Sequence, residues 1–367
     1  LTAQGDLPNA RRHHEEGLRI RQRLASEHPH SARMQREVST TLNSVGYILR
    51  AQGNLAGALA LHEESLQIVR RLAAEDPTSA DLLRDVSVSL LTVGDVLLDQ
   101  GNPAAARVYF EESVATNQRL AELDPSSAVF LRDTAVSQER LGDALRESGD
   151  LDGALAAYLE NAATFRRLVA QDSTSSGAQR GLMLALIRIG IAHVTAGDFD
   201  GAHAAFEESV ELARAIAAGD RSSARAEYDV GFALAGLAYV LEGQGDESGA
   251  LAMYRDALQI SERLHESDPT NSAAAQRVAQ NTANIQRVET RLALVRALAR
   301  GQSRARGRTV RLRAGFSPDP RSIETTAGGP LYAPGLRDVC VGDIAEPRGH
   351  VLDKHAAGSQ ALVISAI

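Results

Sequence analysis

Apolar residues recur at spacings of three, four and seven along residues 1–300. Val86, Leu90, Val93 and Leu97 form one such series. This spacing is the period of an α-helix, whereas a strand would alternate every second residue. The pattern therefore predicts a chain of helices of about 20 residues, each roughly 30 Å long at about 1.5 Å per residue.

The whole pattern repeats with a period of 48 residues. A glycine followed by Asn or Asp marks the same place in six copies, at Gly5, Gly53, Gly101, Gly149, Gly197 and Gly245. Glycine adopts the left-handed conformation that ends a helix, and Asn or Asp accepts hydrogen bonds from the first N–H groups of the next helix. Each glycine thus predicts a tight turn between two helices.

A second turn is predicted in the other half of each copy, where an Asp-Pro pair precedes a Ser or Asn helix cap. Pro77, Pro125 and Pro269 occupy this place, but Ser173 and Arg221 replace proline in copies four and five. We expect those two turns to be looser. Each copy is then a pair of antiparallel helices, and such a pair buries its apolar face only by stacking on its neighbours.

Copy three resembles the tetratricopeptide repeat family through Leu90, Val93, Gly94, Leu97, Ala106, Phe110 and Ser113. The resemblance covers residues 1–300 and implies an all-α, right-handed superhelical solenoid of antiparallel helix hairpins. The family's usual unit has about 34 residues. A period of 48 therefore implies a variant with longer helices.

The two ends of the array differ from its middle. The first copy begins at its second helix, near Asp6, which predicts an open apolar face and a fragment of a longer chain. Residues 278–300 are expected to form a capping helix. Residues 301–367 are rich in Arg, Gly and Pro and are expected to be a disordered tail, although residues 336–367 also have strand-like runs.

Composition and motifs limit the kinds of functional site that the sequence can contain. The net charge is -8, and no apolar run is long enough to cross a membrane. Cys340 is the single cysteine, which excludes an internal disulfide framework and favours the cytoplasm. The sequence lacks the phosphate-binding, nucleophile-elbow and zinc-protease motifs. We therefore expect no catalytic residue, no metal and no cofactor. His14 occupies the position of Phe110, so the run from His13 to Glu16 is interpreted as packing.

The family resemblance implies a binding groove lined by the first helix of each copy. The inner positions carried over as partner-binding candidates are Asn43, Tyr47, Arg50, Asp95, Asp143, Arg146, Leu184, Ile187, Ile191, Val194, Phe232 and Tyr239. The last six form an apolar row that is either exposed to a partner or part of the core. The clamp for the acidic C-termini of heat-shock chaperones is not expected, because Tyr47, Asp95 and Asp143 stand where that clamp needs Lys, Asn or Arg.

These observations predict a non-catalytic scaffold that binds a peptide or protein segment in its groove. The alternative is a regulatory or sensor part of a larger signalling enzyme, such as a kinase, protease or nucleotide-switch protein, with its catalytic domain upstream. Self-association through the open N-terminal face is a further possibility. Membranes are not expected as partners. Nucleic acid is not expected either, because the Arg-rich tail is the only part of the sequence that suggests it.

Overall fold

The computed structural model describes residues 7–302, 311–312 and 362–363, and within the first range it consists of twelve helices. These are α1 (Leu7–Glu27), α2 (Ala32–Ala51), α3 (Leu55–Glu75), α4 (Ala80–Asp99), α5 (Pro103–Leu123), α6 (Ala128–Glu147), α7 (Leu151–Gln171), α8 (Ser176–Ala196), α9 (Phe199–Gly219), α10 (Ala224–Gln244), α11 (Glu247–Ser267) and α12 (Ser272–Gln302). The short strands β1 (Arg311–Leu312) and β2 (Leu362–Val363) pair antiparallel. Most of the predicted tail, including Cys340, lies outside the described residues.

The helices reproduce the period of the sequence. The even-numbered helices α2 to α12 begin 48 residues apart, from Ala32 to Ser272, and the odd-numbered helices do the same from Leu7 to Glu247. Helices α4 and α5 have 20 and 21 residues. The predicted all-α fold and the predicted helix length are confirmed.

The turns after the even-numbered helices follow the predicted chemistry. Gly101 has a φ of 72°, in the left-handed region, and the side chain of Asn102 accepts a hydrogen bond from the backbone N–H of Ala105 at 3.2 Å. Gly101 ends α4, and Asn102 caps the start of α5. This arrangement recurs with Asn54, Asp150, Asp198 and Asp246 as caps.

The turns after the odd-numbered helices depend on aspartate more than on proline. Asp124 accepts hydrogen bonds from the N–H and hydroxyl of Ser126 at 3.0 and 2.6 Å. Asp172, which no proline follows, accepts the same pair from Thr174 at 2.9 and 2.7 Å, and these bonds lower the pKa of Asp172. The expected loosening of this turn is therefore not seen in its geometry, because the Asp and Thr side chains hold it.

Replacing Ser173 with proline is expected to stabilise the protein by about 0.4–1 kcal/mol, since proline reduces the freedom of the unfolded chain. The preceding Asp172 already has φ -143° and ψ 95°, close to the -143° and 89° of Asp124 before Pro125. Urea unfolding followed by circular dichroism measures the change. The control is Thr174→Pro, which removes the N–H donated to Asp172 and should destabilise. A loss of stability in Ser173→Pro would contradict the shared turn geometry.

The chain divides into two compact units, residues 1–185 and 186–367, with the boundary inside α8. In unit 1 each helix from α1 to α6 packs against the next one in sequence. In unit 2 the same holds from α9 to α12. Each unit is thus a short solenoid of helix hairpins, as predicted.

In the hairpins from α2 to α7 the core is built on a glycine facing an aromatic ring. A Cβ atom on Gly94 would lie 2.4 Å from Cε1 of Phe110, which is completely buried. Gly142 faces Tyr158 in the same way. In the hairpin of α2 and α3 the ring is the buried imidazole of His62, against Gly46.

Candidate functional site

In unit 1 the even-numbered helices α2, α4 and α6 lie beside one another. Their shared surface carries a row of exposed residues 48 positions apart, Thr40, Val88 and Val136. The valine side chains are 41% and 39% exposed, so they give the row apolar surface. We call this surface the first-helix face.

Ion pairs between neighbouring helices border the row toward the N-terminal ends of these helices. The guanidinium of Arg36 on α2 binds both carboxylate oxygens of Asp85 on α4. Arg84 on α4 repeats the contact with Asp133 on α6, with Nε 2.6 Å from Oδ2. Both pairs join residues 49 positions apart, so they tie each copy to the next.

A second charged network borders the row on its other side. Asp95 on α4 lies between two arginines, with one carboxylate oxygen 3.3 Å from Nη1 of Arg50 and the other 3.3 Å from Nε of Arg140. Arg50 also binds Asp99. Burial raises the pKa of Asp95, and the positive charges of Arg140 and Arg50 act in the opposite direction. The network therefore holds a half-buried carboxylate in place.

Tyrosine side chains complete this border. Tyr47 is 47% exposed and presents its ring to solvent beside the network. Tyr158 is buried, and its hydroxyl donates a hydrogen bond to Oδ1 of Asp143 at 2.8 Å. Burial raises the pKa of the Tyr158 hydroxyl, and the charge of Asp143 raises it further. Tyr158 therefore positions Asp143 from below the surface.

His62 supports the same border from the core. Its Nδ1 lies 2.8 Å from Oδ1 of Asn43, and its ring meets the Tyr47 ring edge-on with centroids 5.2 Å apart. The Nε2 atom of His62 is buried without a hydrogen-bond partner. Burial, assisted by the charge of Arg50, lowers the pKa of His62 to about 4. His62 is therefore neutral near pH 7 and fixes Asn43 and Tyr47 as an uncharged support.

An open depression of about 350 Å³ adjoins the face where α1, α2 and α4 meet. Its walls include Arg21, Arg33, Arg36 and Asp85. Arg33 pairs with Glu37 and Arg36 pairs with Asp85, so these two arginines are already neutralised. The lining contains three arginines and two carboxylates, Glu37 and Asp85, so the depression adds one positive charge beside the first-helix face.

The structure brings together the predicted polar candidates of unit 1. Asn43, Tyr47, Arg50, Asp95 and Asp143 lie on the first-helix face or its border, as the contacts above show. Arg146 is half-buried near them on α6, with Nη2 3.9 Å from Oε1 of Glu147. Of the predicted apolar row, Leu184 belongs to unit 1 and is half-buried.

The remaining apolar candidates lie in unit 2, mostly in its core. Ile187, Val194 and Tyr239 are buried, while Ile191 and Phe232 are half-buried. The side chains of the first three do not form an exposed patch in this structure. Their burial agrees with the alternative interpretation of the row as core.

Phe232 is covered by a residue that sequence reasoning missed. The guanidinium of Arg277 on α12 lies 4.7 Å from the centre of the Phe232 ring, and its Nε is 3.2 Å from the hydroxyl of Tyr228. A cation over an aromatic ring is attracted by the negative face of the ring. Arg277 and Tyr228 are 49 residues apart, the spacing of the ion pairs in unit 1, so this spacing was the signal available in the sequence.

Sequence reasoning also missed a buried carboxylate in unit 2. Oε2 of Glu242 is 2.6 Å from Nη2 of Arg287, and its Oε1 is 3.1 Å from Nη1 of Arg291. The separations in sequence, 45 and 49 residues, are those that join Arg50 to Asp95 and Asp99. The charges are exchanged, because here the acid lies on the earlier helix and the arginines lie on the later one. Comparing the copies for identical residues therefore does not reveal the match.

Among the residues whose side chains the structure describes, no three His, Cys, Asp or Glu residues form a metal-binding cluster. No helix in the described part of the chain is long and apolar enough to span a membrane.

Comparisons with known proteins agree with this geometry. Two family models, both described as tetratricopeptide repeat, match residues 37–119 and residues 1–30 with 233–271. The crystal structure of BtubC (BKLC) from P. vanneervenii is similar with a TM-score of 0.56 and 16% identity, covering 71% of this chain and 92% of that chain. This likeness shows the fold.

Two further solved structures share weaker likeness. The apo form of RapI has a TM-score of 0.48 and 15% identity, covering 72% of this chain and 86% of that chain. YrrB, described as a TPR protein with an unusual peptide-binding site, has a TM-score of 0.34 and 16% identity, covering 70% of this chain and 95% of that chain. No curated protein sequence matches the chain.

Proposed function

Because the chain contains tetratricopeptide repeats, we propose that it is a non-catalytic scaffold that binds a peptide or protein segment on the first-helix face of unit 1. The observation that supports the proposal is the row of exposed Val88 and Val136 between two borders of ion pairs. Exposed apolar side chains rimmed by polar groups are typical of protein-interaction sites. The cytoplasm is the compartment we propose for this activity.

The face defines the chemistry of the segment that fits it. Val88 and Val136 offer apolar contacts, and Tyr47 offers a ring with a polar edge at one end of the row. The arginines and aspartates at the borders are paired, so they favour no strongly charged ligand. The proposed ligand is therefore a segment with two or more apolar side chains and a mixed charge pattern.

Selection of phage-displayed peptides on the full chain tests this function. We expect enriched peptides to bind the parent protein, and the double variant Val88→Glu, Val136→Glu to weaken binding by about tenfold or more, since each buried apolar contact contributes of the order of 1 kcal/mol. The matched control is Val108→Glu on α5, where the valine is also exposed but lies off the face. Its affinity should equal that of the parent.

Circular dichroism of the three proteins separates loss of binding from loss of folding. Peptides that bind the double variant as tightly as the parent would contradict the proposed site. Failure to select any peptide on the folded parent would contradict peptide binding as its function.

A further inference from the structure

The row on the first-helix face crosses neighbouring helices at a regular interval. Val88 on α4 and Val136 on α6 occupy the same place in successive copies. Arg84 on α4 pairs with Asp133 on α6, and Cα atoms of the two helices approach within 8 Å of each other. Packed helices have axes about 8–10 Å apart. A ligand that contacts both valines must therefore present two apolar side chains on one side, about 9 Å apart.

Charged residues limit the width of the row. On α6, Asp133 lies three residues before Val136 and Arg140 lies four residues after it. Both form ion pairs with α4, to Arg84 and to Asp95. The strip between them spans seven positions, about 10 Å along the helix axis. An α-helix, which is about 10–12 Å wide with its side chains, would fill the strip and contact the paired charges on both sides, whereas a single extended chain fits within it.

The interval between the valines distinguishes two kinds of extended chain. In a β-strand, the side chains on one side recur every second residue, about 7 Å apart. In a polyproline II helix they recur every third residue, about 9 Å apart. Of the two, the second interval matches the spacing of the helices. A β-strand also needs the open edge of a sheet, whereas the backbone N–H groups in the middle of α4 and α6 are bonded within their helices.

Helix α2 adds a third position to the row at Thr40. The Thr40 hydroxyl donates a hydrogen bond to the carbonyl oxygen of Arg36 at 3.0 Å, so this hydroxyl already has a partner. Arg36 pairs with Asp85 on α4 as Arg84 pairs with Asp133 on α6. The step from α2 to α4 therefore repeats the step from α4 to α6, and a ligand that crosses all three helices would present three side chains at equal intervals.

We propose that the first-helix face selects a segment of a partner protein in the polyproline II conformation, with apolar side chains at every third residue facing the row of Val88 and Val136. This inference rests on the proposed function and adds the conformation and the periodicity of its ligand. The two residues between successive apolar side chains lie toward the borders, where paired arginines and aspartates accept polar groups. Proline suits these intermediate positions because it fixes the φ angle of this conformation.

Three phage libraries selected on the full chain test the periodicity. They carry leucine at every third residue, at every second residue, or at the first and fourth positions of a heptad, and their other positions are varied. We expect the enriched binders to come from the first library. Binders from another library that lose affinity for the variant Val88→Glu, Val136→Glu would overturn this inference and leave the proposed function standing. Failure of all three libraries on the folded chain would overturn both.

Proline substitution in the best peptide of the first library tests the bound conformation. Relative to alanine at the same position, proline between two leucines should keep or raise the affinity measured by fluorescence anisotropy, because it preorganises the peptide. Inserting one glutamine between two leucines should weaken binding by about tenfold or more, since one apolar side chain then leaves the row. Loss of binding with proline would indicate a bound helix or strand and overturn the inference, as would tolerance of the insertion.

Val129→Glu is the matched control on the protein. Val129 is 43% exposed and lies two turns before Val136 on the same side of α6, with Asp133 between them. Val136→Glu should weaken binding by about tenfold, and Val129→Glu should leave the affinity unchanged. Equal weakening would show a ligand wider than the strip and overturn the inference. Binding that appears only after removal of residues 303–367, with helicity retained in circular dichroism, would assign the face to the chain's own tail and overturn the assignment to a partner.

Discussion

Replacing Gly94 with alanine is expected to lower the free energy of unfolding by about 1–3 kcal/mol, the usual cost of overpacking a core. The new Cβ would lie 2.4 Å from Cε1 of Phe110 and 2.7 Å from its Cζ. In an open helix position the same change would stabilise by up to about 1 kcal/mol, since alanine is the better helix former. Urea unfolding of the full chain measures the difference.

The control is Gly177→Ala near the start of α8, where nothing lies within 4 Å of the added Cβ. That variant should match or exceed the parent in stability. Adding Phe110→Leu to Gly94→Ala should recover part of the loss, because the smaller side chain leaves room for the methyl group. If Gly94→Ala is as stable as Gly177→Ala, the close contact between glycine and ring is not what sets the spacing of the two helices.

The second large effect concerns pH. The pKa of His62 is lowered from 6.5 to about 4 in the folded protein. Between these two values the unfolded chain binds a proton that the folded chain does not, so stability falls as the pH decreases from about 6.5 toward 4. At about 1.4 kcal/mol per pH unit, this single residue costs about 3 kcal/mol at the acid end of that window.

His62→Phe should remove this contribution, because phenylalanine does not titrate and the equivalent slot in copy three already holds Phe110 against Gly94. At neutral pH two changes oppose each other, because the variant eliminates the buried Nε2 without a partner and also removes the hydrogen bond between Nδ1 and Asn43. Unfolding free energies measured from pH 7 to pH 4 should diverge between the two proteins as the pH falls. Parallel profiles would show that protonation of His62 does not cause the loss of stability at acid pH.

Much of the fold could be predicted from the sequence because each copy repeats the same local chemistry. Gly101 and Asn102 define a helix end and a helix start by backbone conformation and capping alone. Gly94 and Phe110 define a contact between two helices by size. These are properties of single positions, so the period of the sequence is sufficient to locate them.

Exposure on the first helices could not be predicted in this way because it depends on the neighbouring copy. Val88 and Phe232 occupy the same place in the repeat, three copies apart. The residue 45 positions after Val88 is Asp133, which pairs with Arg84 and leaves the valine open. The residue 45 positions after Phe232 is Arg277, which lies over the ring. The two positions thus differ both in their own side chain and in the residue that the next copy places beside them.

The reversed ion pairs restrict how the gene for such a chain can evolve. The backbone of every copy is alike, so unequal recombination that deleted the copies between α2 and α12 would still yield helices of the right length and phase. It would, however, place Arg50 where Glu242 now meets Arg287 and Arg291, bringing three positive charges together. The order of the copies is therefore encoded in the charges between them.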